Sequence, residues 1–194
     1  IPVSAAQIDD QFRVWLQSDL WPEAKAKGIS NKTFDEAFIG VKPNLKLPDL
    51  VMPGEKPTTP EKQHQAEFGP PGAYFAEKTV RAVTSGGRTR DSANARVLGL
   101  IEKRYGVPGE IVLAIWGRET AFGSHKSQHY AIRVLATLAW QGRRKDLFRG
   151  ELIFALRMLE DGIVTPETMK SSWAGAMGLT QFMPSEFYGS GHDL

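Results

Sequence analysis

Glu119 stands near the end of the run Ala114-Ile-Trp-Gly-Arg-Glu-Thr-Ala-Phe-Gly123. The period of the apolar residues makes this a helix, so the carboxyl group falls in the last turn before a glycine stop. Burial among aromatic and aliphatic neighbours disfavours a carboxylate, and the negative end of the helix dipole disfavours it too. A carboxylic acid kept protonated near neutral pH is what cleavage of a glycosidic bond asks of a general acid. Arg118 would oppose this only by reaching the carboxylate, and neighbouring helical residues point about 100° apart. A lone Glu near a helix end is ordinarily a solvated surface residue. The setting between Trp116 and Phe122, with few other charges nearby, distinguishes this one.

A second segment, Ser171-Ser-Trp-Ala-Gly-Ala-Met-Gly-Leu-Thr-Gln-Phe-Met-Pro184, is uncharged throughout. Its small residues let backbones approach closely or leave room for a ligand. Ser172, Gln181, Trp173 and Phe182 offer the mixture of apolar platform and placed hydroxyl or amide that carbohydrate sites use. A tightly packed crossing of helices accounts for the small residues equally well.

The elements that must position these residues read as mainly α. A helix is expected from Ser4 to about Ala26, with Ile8, Phe12, Trp15, Leu16 and Leu20 at helical spacing and Pro22 as a break or restart. Gly28 ends it, and a short helix capped by Ser30 or Asn31 runs to Phe38. Seven prolines between residues 41 and 73 predict an extended, surface-wrapping connection, anchored by Leu45, Leu47, Leu50, Val51 and Met52. Further helices are expected at 74–83, 91–105, from Pro108 to about Gly123, at 129–140 and 144–161, and from Thr165-Pro166 to Ser171. The pattern contains no convincing strand. The expected division is 1–73, an N-terminal helical segment with its Pro-rich connection packed on the core, and 74–194, the domain that carries the chemistry.

Composition narrows the partners. Of 194 residues, 41% are apolar and 24% charged, and the net charge of +2 is too small and scattered for a nucleic-acid surface. No stretch approaches the length of a membrane span. The absence of cysteine excludes disulfides, thiol nucleophiles and thiolate metal sites. No cofactor is called for. His125 and His129 are four apart, a spacing that can put two metal ligands on one helix face, but no Glu stands between them as in a metalloprotease.

The two segments together resemble the lytic murein transglycosylase B family, glycoside hydrolase family 103. The resemblance lies in Gly117-Arg-Glu119-Thr-Ala-Phe-Gly123 and in the run from Ser172 to Ser185, supported between them by Arg133-Val-Leu-Ala-Thr-Leu-Ala139, the Arg143-Arg144 pair and the helix holding Glu151. It is strong over residues 96–187 and loose over 5–95. It implies a lysozyme-like fold with an N-terminal helical extension, and peptidoglycan glycan strands as the substrate. It implies that Glu119 is the catalytic acid and then base, that Ser172 and Gln181 line the muramic-acid subsite, and that Tyr74 and Phe182 contribute to the substrate site. A single carboxylate then suffices, because the substrate's own C6 hydroxyl closes the ring in place of water. Ser172→Ala and Gln181→Ala are expected to weaken turnover more mildly than loss of Glu119.

The same resemblance implies a periplasmic protein, with no N-terminal cysteine to carry a lipid. It also implies a catalytic domain longer than residues 74–194, so this portion is expected to be incomplete. Cell-wall machinery proteins are conceivable partners of unknown identity. The competing reading is a catalytically silent peptidoglycan-binding or scaffold protein of the same fold.

Overall fold

The apolar spacing of the N-terminal segment is realised as an almost continuous helical path. In the computed structural model, α1 (Ala5–Trp15) runs through a π-helical turn (Leu16–Leu20) into α2 (Trp21–Ala26). Pro22 has no N–H to give to the carbonyl four residues back, so the turn before it widens. Arg149 stabilises the widened turn by donating to the Asp19 carbonyl at 2.6 Å and by pairing with Glu23. The structure describes residues 5–51, 70, 72 and 75–191. The proposed cap Ser4, the anchor Met52 and Tyr74 lie outside them.

The described residues form two units. The first takes 5–51, 127–178 and 182–191. Its centre is α6 (Ala131–Gln141), in which every residue from Val134 to Trp140 is buried. Each fully buried Leu or Ile there contributes roughly 1.5–3 kcal/mol. Phe12 and Trp140 meet with ring centroids 5.3 Å apart, so α1 lies on the same core. The amphipathic α7 (Lys145–Glu160) buries Phe148, Leu152, Ala155 and Leu156 against it. The buried Thr137 is satisfied twice: its hydroxyl donates to the Arg133 carbonyl and accepts from the Asn44 N–H. That second bond, with Arg133 Nε on the Lys42 carbonyl and Val51 N–H on the Gln141 carbonyl, docks residues 41–51 as the expected connection. Leu47 is its buried anchor, whereas Leu45 is exposed.

Helix α3 (Asn31–Phe38) begins as expected at Ser30, whose hydroxyl accepts from the Thr33 N–H. The Ser30 N–H and hydroxyl also donate to Glu160 at 2.9 and 2.8 Å. Hydrogen bonding by Thr33 and then by Ser30 holds the Glu160 carboxyl below its usual range. A carboxyl with a lowered folded-state pKa contributes stability above its unfolded pKa and loses it as pH falls through the folded value. Stability of the native chain relative to Glu160→Gln is therefore expected to decline below about pH 4.5. Paired urea titrations from pH 7 to 3 check this, and a constant difference would contradict it.

The second unit takes 70, 72, 75–126 and 179–181. It is built on α4 (Glu77–Tyr105) and α5 (Gly109–Thr120), joined by a tight turn in which Gly106 adopts φ +69°. Two separate helices were expected, at 74–83 and 91–105, but α4 runs unbroken from Glu77 to Tyr105. Gly86 within it serves packing. A Cβ on Gly86 would sit 2.4 Å from the Phe122 ring, and one on Gly117 would sit 2.6 Å from it, so the ring lies in a notch that only glycine leaves open. Arg90 covers the same ring at 4.4 Å.

Other expectations are corrected as well. Thr165-Pro166 starts a single turn, not a helix, closed by the Thr165 carbonyl accepting from the Thr168 and Met169 N–H groups. Lys170–Ser171 then forms β2, antiparallel to β1 (His129–Tyr130), with His129 opposite Ser171. The helix expected from residue 129 therefore begins at Ala131. A further short helix, α8 (Pro184–Ser190), has Pro in its first turn. The chain is mainly α, as its patterning requires.

Candidate active site

In the second unit, α5 buries Gly109, Leu113, Gly117 and Thr120, a single face at four- and three-residue spacing. Glu119 falls off that face. It lies above Ile111 and Ile115, which are 52% and 47% exposed, and its own side chain is exposed. The expected apolar burial of this carboxyl is thus corrected: the aromatic neighbours in sequence, Trp116 and Phe122, pack with each other (centroids 5.5 Å apart) on another side of the helix. Among the described residues, no hydrogen bond or ion pair engages the Glu119 carboxylate. It is the penultimate residue of α5, so the helix dipole places negative potential beside it.

The end of α5 is unusual. Ala121, Phe122 and Gly123 all take positive φ, +46°, +59° and +83°. Two non-glycine residues in this region cost about 1 kcal/mol or more each and persist only where surroundings impose them. Thr120 supplies much of that constraint. It is buried, its hydroxyl donates to the Leu179 carbonyl at 2.9 Å and accepts from the Gly123 N–H, and its carbonyl accepts from the His125 N–H. Glu119 is therefore presented from a fixed helix end tied to the segment Leu179–Gln181. Gln181, in the same unit, is half-buried with φ +56°. Sequence reasoning passed over Thr120, because the partner that gives it meaning is 59 residues away.

In the first unit, Ser172 organises its own loop. Its hydroxyl accepts from the Ala174 and Ala176 N–H groups at 3.3 and 3.1 Å, and its N–H donates to the Ala176 carbonyl. The hydroxyl hydrogen has no acceptor among the described residues. Gly175, at φ +92°, lies so close to α6 that a Cβ would meet Leu135 at 2.3 Å. The close-packing reading of the small residues therefore holds at Gly175, while Gly178 (φ +74°) has open space around its Cα. Met177 and Phe182 exchange two backbone hydrogen bonds, 2.8 and 2.9 Å, and leave the Phe182 ring 45% exposed. Trp173 packs on the core instead. The cleft lined by Asp9, Arg13, Phe34, Phe38 and Lys42 includes none of the candidate site residues.

Three of the other carboxylates are occupied. Glu151 binds Ser185, Glu160 binds Ser30, and Asp161 accepts from Arg157 and Tyr188. Glu110 lies nine residues before Glu119 on the same helix, about 13 Å along its axis. Paired carboxylates in glycosidases stand about 5–9.5 Å apart. His125 lies in a bend and His129 in β1, so their four-residue spacing is not helical. No group of three or more His, Cys, Asp or Glu that could hold a metal occurs among the described residues. No helix among them is long and apolar enough to cross a membrane.

The mainly α frame is of the lysozyme-like transglycosylase type. The sequence profile of the Transglycosylase SLT domain matches residues 11–194, and the chain belongs to that family. It is 43% identical over 96 residues, 45% of its own length and 27% of the relative's, to membrane-bound lytic murein transglycosylase B of Escherichia coli (strain K12). Its fold is similar to that of SltB3 from Pseudomonas aeruginosa in complex with NAG-NAM-pentapeptide (TM-score 0.72, 33% identity, covering 99% of this chain and 46% of that one). It is also similar to Escherichia coli Slt35 in complex with bulgecin A (TM-score 0.65, 27% identity, 97% and 56%). The chain thus spans roughly half, or less, of the length of these relatives.

Proposed function

We propose that this protein is a lytic transglycosylase that cleaves the β-1,4 bond between N-acetylmuramic acid and N-acetylglucosamine in peptidoglycan, with Glu119 as acid and then base. The observation that carries this reading is a carboxyl without a partner among the described residues, presented from a constrained helix end, with no second carboxylate near it on its helix. A relative of this fold in complex with NAG-NAM-pentapeptide supports the substrate class.

Glu119 donates its proton to the glycosidic oxygen as the bond to C1 of the muramyl residue breaks. The acetamido group of that residue stabilises the cationic centre. The carboxylate then takes the proton of the C6 hydroxyl, whose oxygen bonds to C1 and yields a 1,6-anhydro end. One proton enters and one returns, and water is not consumed. Glycan laid over Ile111, Ile115 and Glu119 would exclude water from the otherwise exposed carboxyl.

Ser172 shapes the loop of the muramic-acid subsite and has a hydroxyl proton to donate. Gln181 supplies an amide, and Phe182 and Tyr74 an apolar platform. Residues 74–194 carry this chemistry, while the helices and connection within 1–73 pack its core. The protein would act in the bacterial periplasm. Digestion of purified sacculi followed by borohydride reduction tests the proposal. Ends that resist reduction are expected; reducible ends would make the protein a hydrolase, and no soluble product would make it a silent binder.

A further inference from the structure

Glu151 is a buried carboxylate whose purpose the proposed chemistry does not explain. It projects from α7 with 7% of its surface exposed. Its Oε2 accepts from the Ser185 N–H at 2.9 Å and its Oε1 accepts from the Ser185 hydroxyl at 2.7 Å. Burial of a carboxylate is tolerated when both oxygens are satisfied, and here the partners are the first-turn N–H and hydroxyl of α8. The partner atoms lie three residues beyond Phe182, whose backbone is held from the other side by Met177. Within the stretch from Met177 to Ser185, Phe182 is thus bridged to Met177 by two backbone bonds, and Ser185 is held by a single side chain from α7.

We propose that Glu151 is a positioning residue for glycan binding: it fixes the start of α8 and so sets the place of the exposed Phe182 ring against the sugar. A buried charge serving only to hold the core together would be a poor choice, since an apolar side chain of the same volume stabilises as well. What the carboxylate supplies is direction, because both of its bonds end on one residue. This inference rests on the reading of residues 172–185 as a glycan-binding segment.

The test compares Glu151→Gln, which can still accept from the Ser185 N–H and donate to its hydroxyl, with Glu151→Leu, which can do neither. Steady-state kinetics on purified glycan strands free of peptide are measured at a temperature where circular dichroism shows both variants folded. Glu151→Leu is expected to raise KM about tenfold with kcat within about twofold of the native value, and Glu151→Gln to restore most of the loss. Binding of the same strands in the Glu119→Gln background should weaken by the same factor. A lower kcat at unchanged KM, the mark of fewer folded molecules, would overturn the proposal. So would unchanged kinetics in Glu151→Leu. Failure of the native protein to bind or cleave the strands would instead overturn the underlying glycan reading.

Discussion

Replacing Glu119 with Gln is expected to lower turnover of peptidoglycan roughly a hundred- to ten-thousandfold. Folding and glycan binding should be left almost unchanged. The exposed position of the side chain, without partners among the described residues, is why no structural penalty is expected. The amide has nearly the shape of the acid but neither donates a proton to the glycosidic oxygen nor accepts one from the C6 hydroxyl. Both halves of the reaction fail together, so no nucleophile added from solution should rescue the product. Thermal unfolding and strand binding, measured beside turnover, separate this outcome from misfolding. Activity within a few-fold of native would remove Glu119 from the mechanism.

The second large effect is expected at Gly175. An alanine there must adopt φ near +92° and place its Cβ 2.3 Å from Leu135 at the centre of the core. Backbone strain and overpacking together should cost about 2–4 kcal/mol, a fall in Tm of roughly 5–15 °C for a chain of this size. Gly178→Ala is the natural control: its φ of +74° imposes strain, but nothing lies within 4 Å of the added carbon. Only about 1–2 kcal/mol should be lost there. Equal losses at the two sites would mean that the close approach to Leu135 contributes nothing.

These two positions also mark what could be read from sequence. The helices α1 to α3 and α5 to α7 were legible as helical segments, α3 with its Ser30 cap as well. Ser30, Gly28 and Pro108 are local signals with local consequences. The misread elements depend on distant partners. The stretch left between the helices expected at 74–83 and 91–105 holds Gly86, against which the Phe122 ring packs, and α4 runs through it. β1 and β2 are two residues each and owe their existence to one another, so neither has a periodicity to detect. Residues 165–171 have the cap and first-turn proline of a helix, but pairing of Lys170 and Ser171 with β1 competes and wins.

The site followed the same rule. Glu119 and the segment from Ser172 to Ser185 were visible as residue types in order. The apolar sequence around Glu119 suggested burial, yet Gly117 and Thr120, the small and polar residues, face inward while Ile111 and Ile115 stay exposed. Size governed that choice: the close approach of α4 and the Phe122 ring leaves no room for anything larger than glycine at position 117. The tie from Thr120 to Leu179 and the hold of Glu151 on Ser185 join residues 59 and 34 positions apart, and no spacing within either segment encodes them.

The central claim is that Glu119 closes the muramyl C6 hydroxyl onto C1 without water. It is tested most directly by digesting sacculi in heavy-oxygen water and weighing the released muropeptides by mass spectrometry. The account predicts products that carry no heavy oxygen at C1 and are lighter than their hydrolysed counterparts by one water. Incorporation of the heavy label at the muramyl C1 would contradict it.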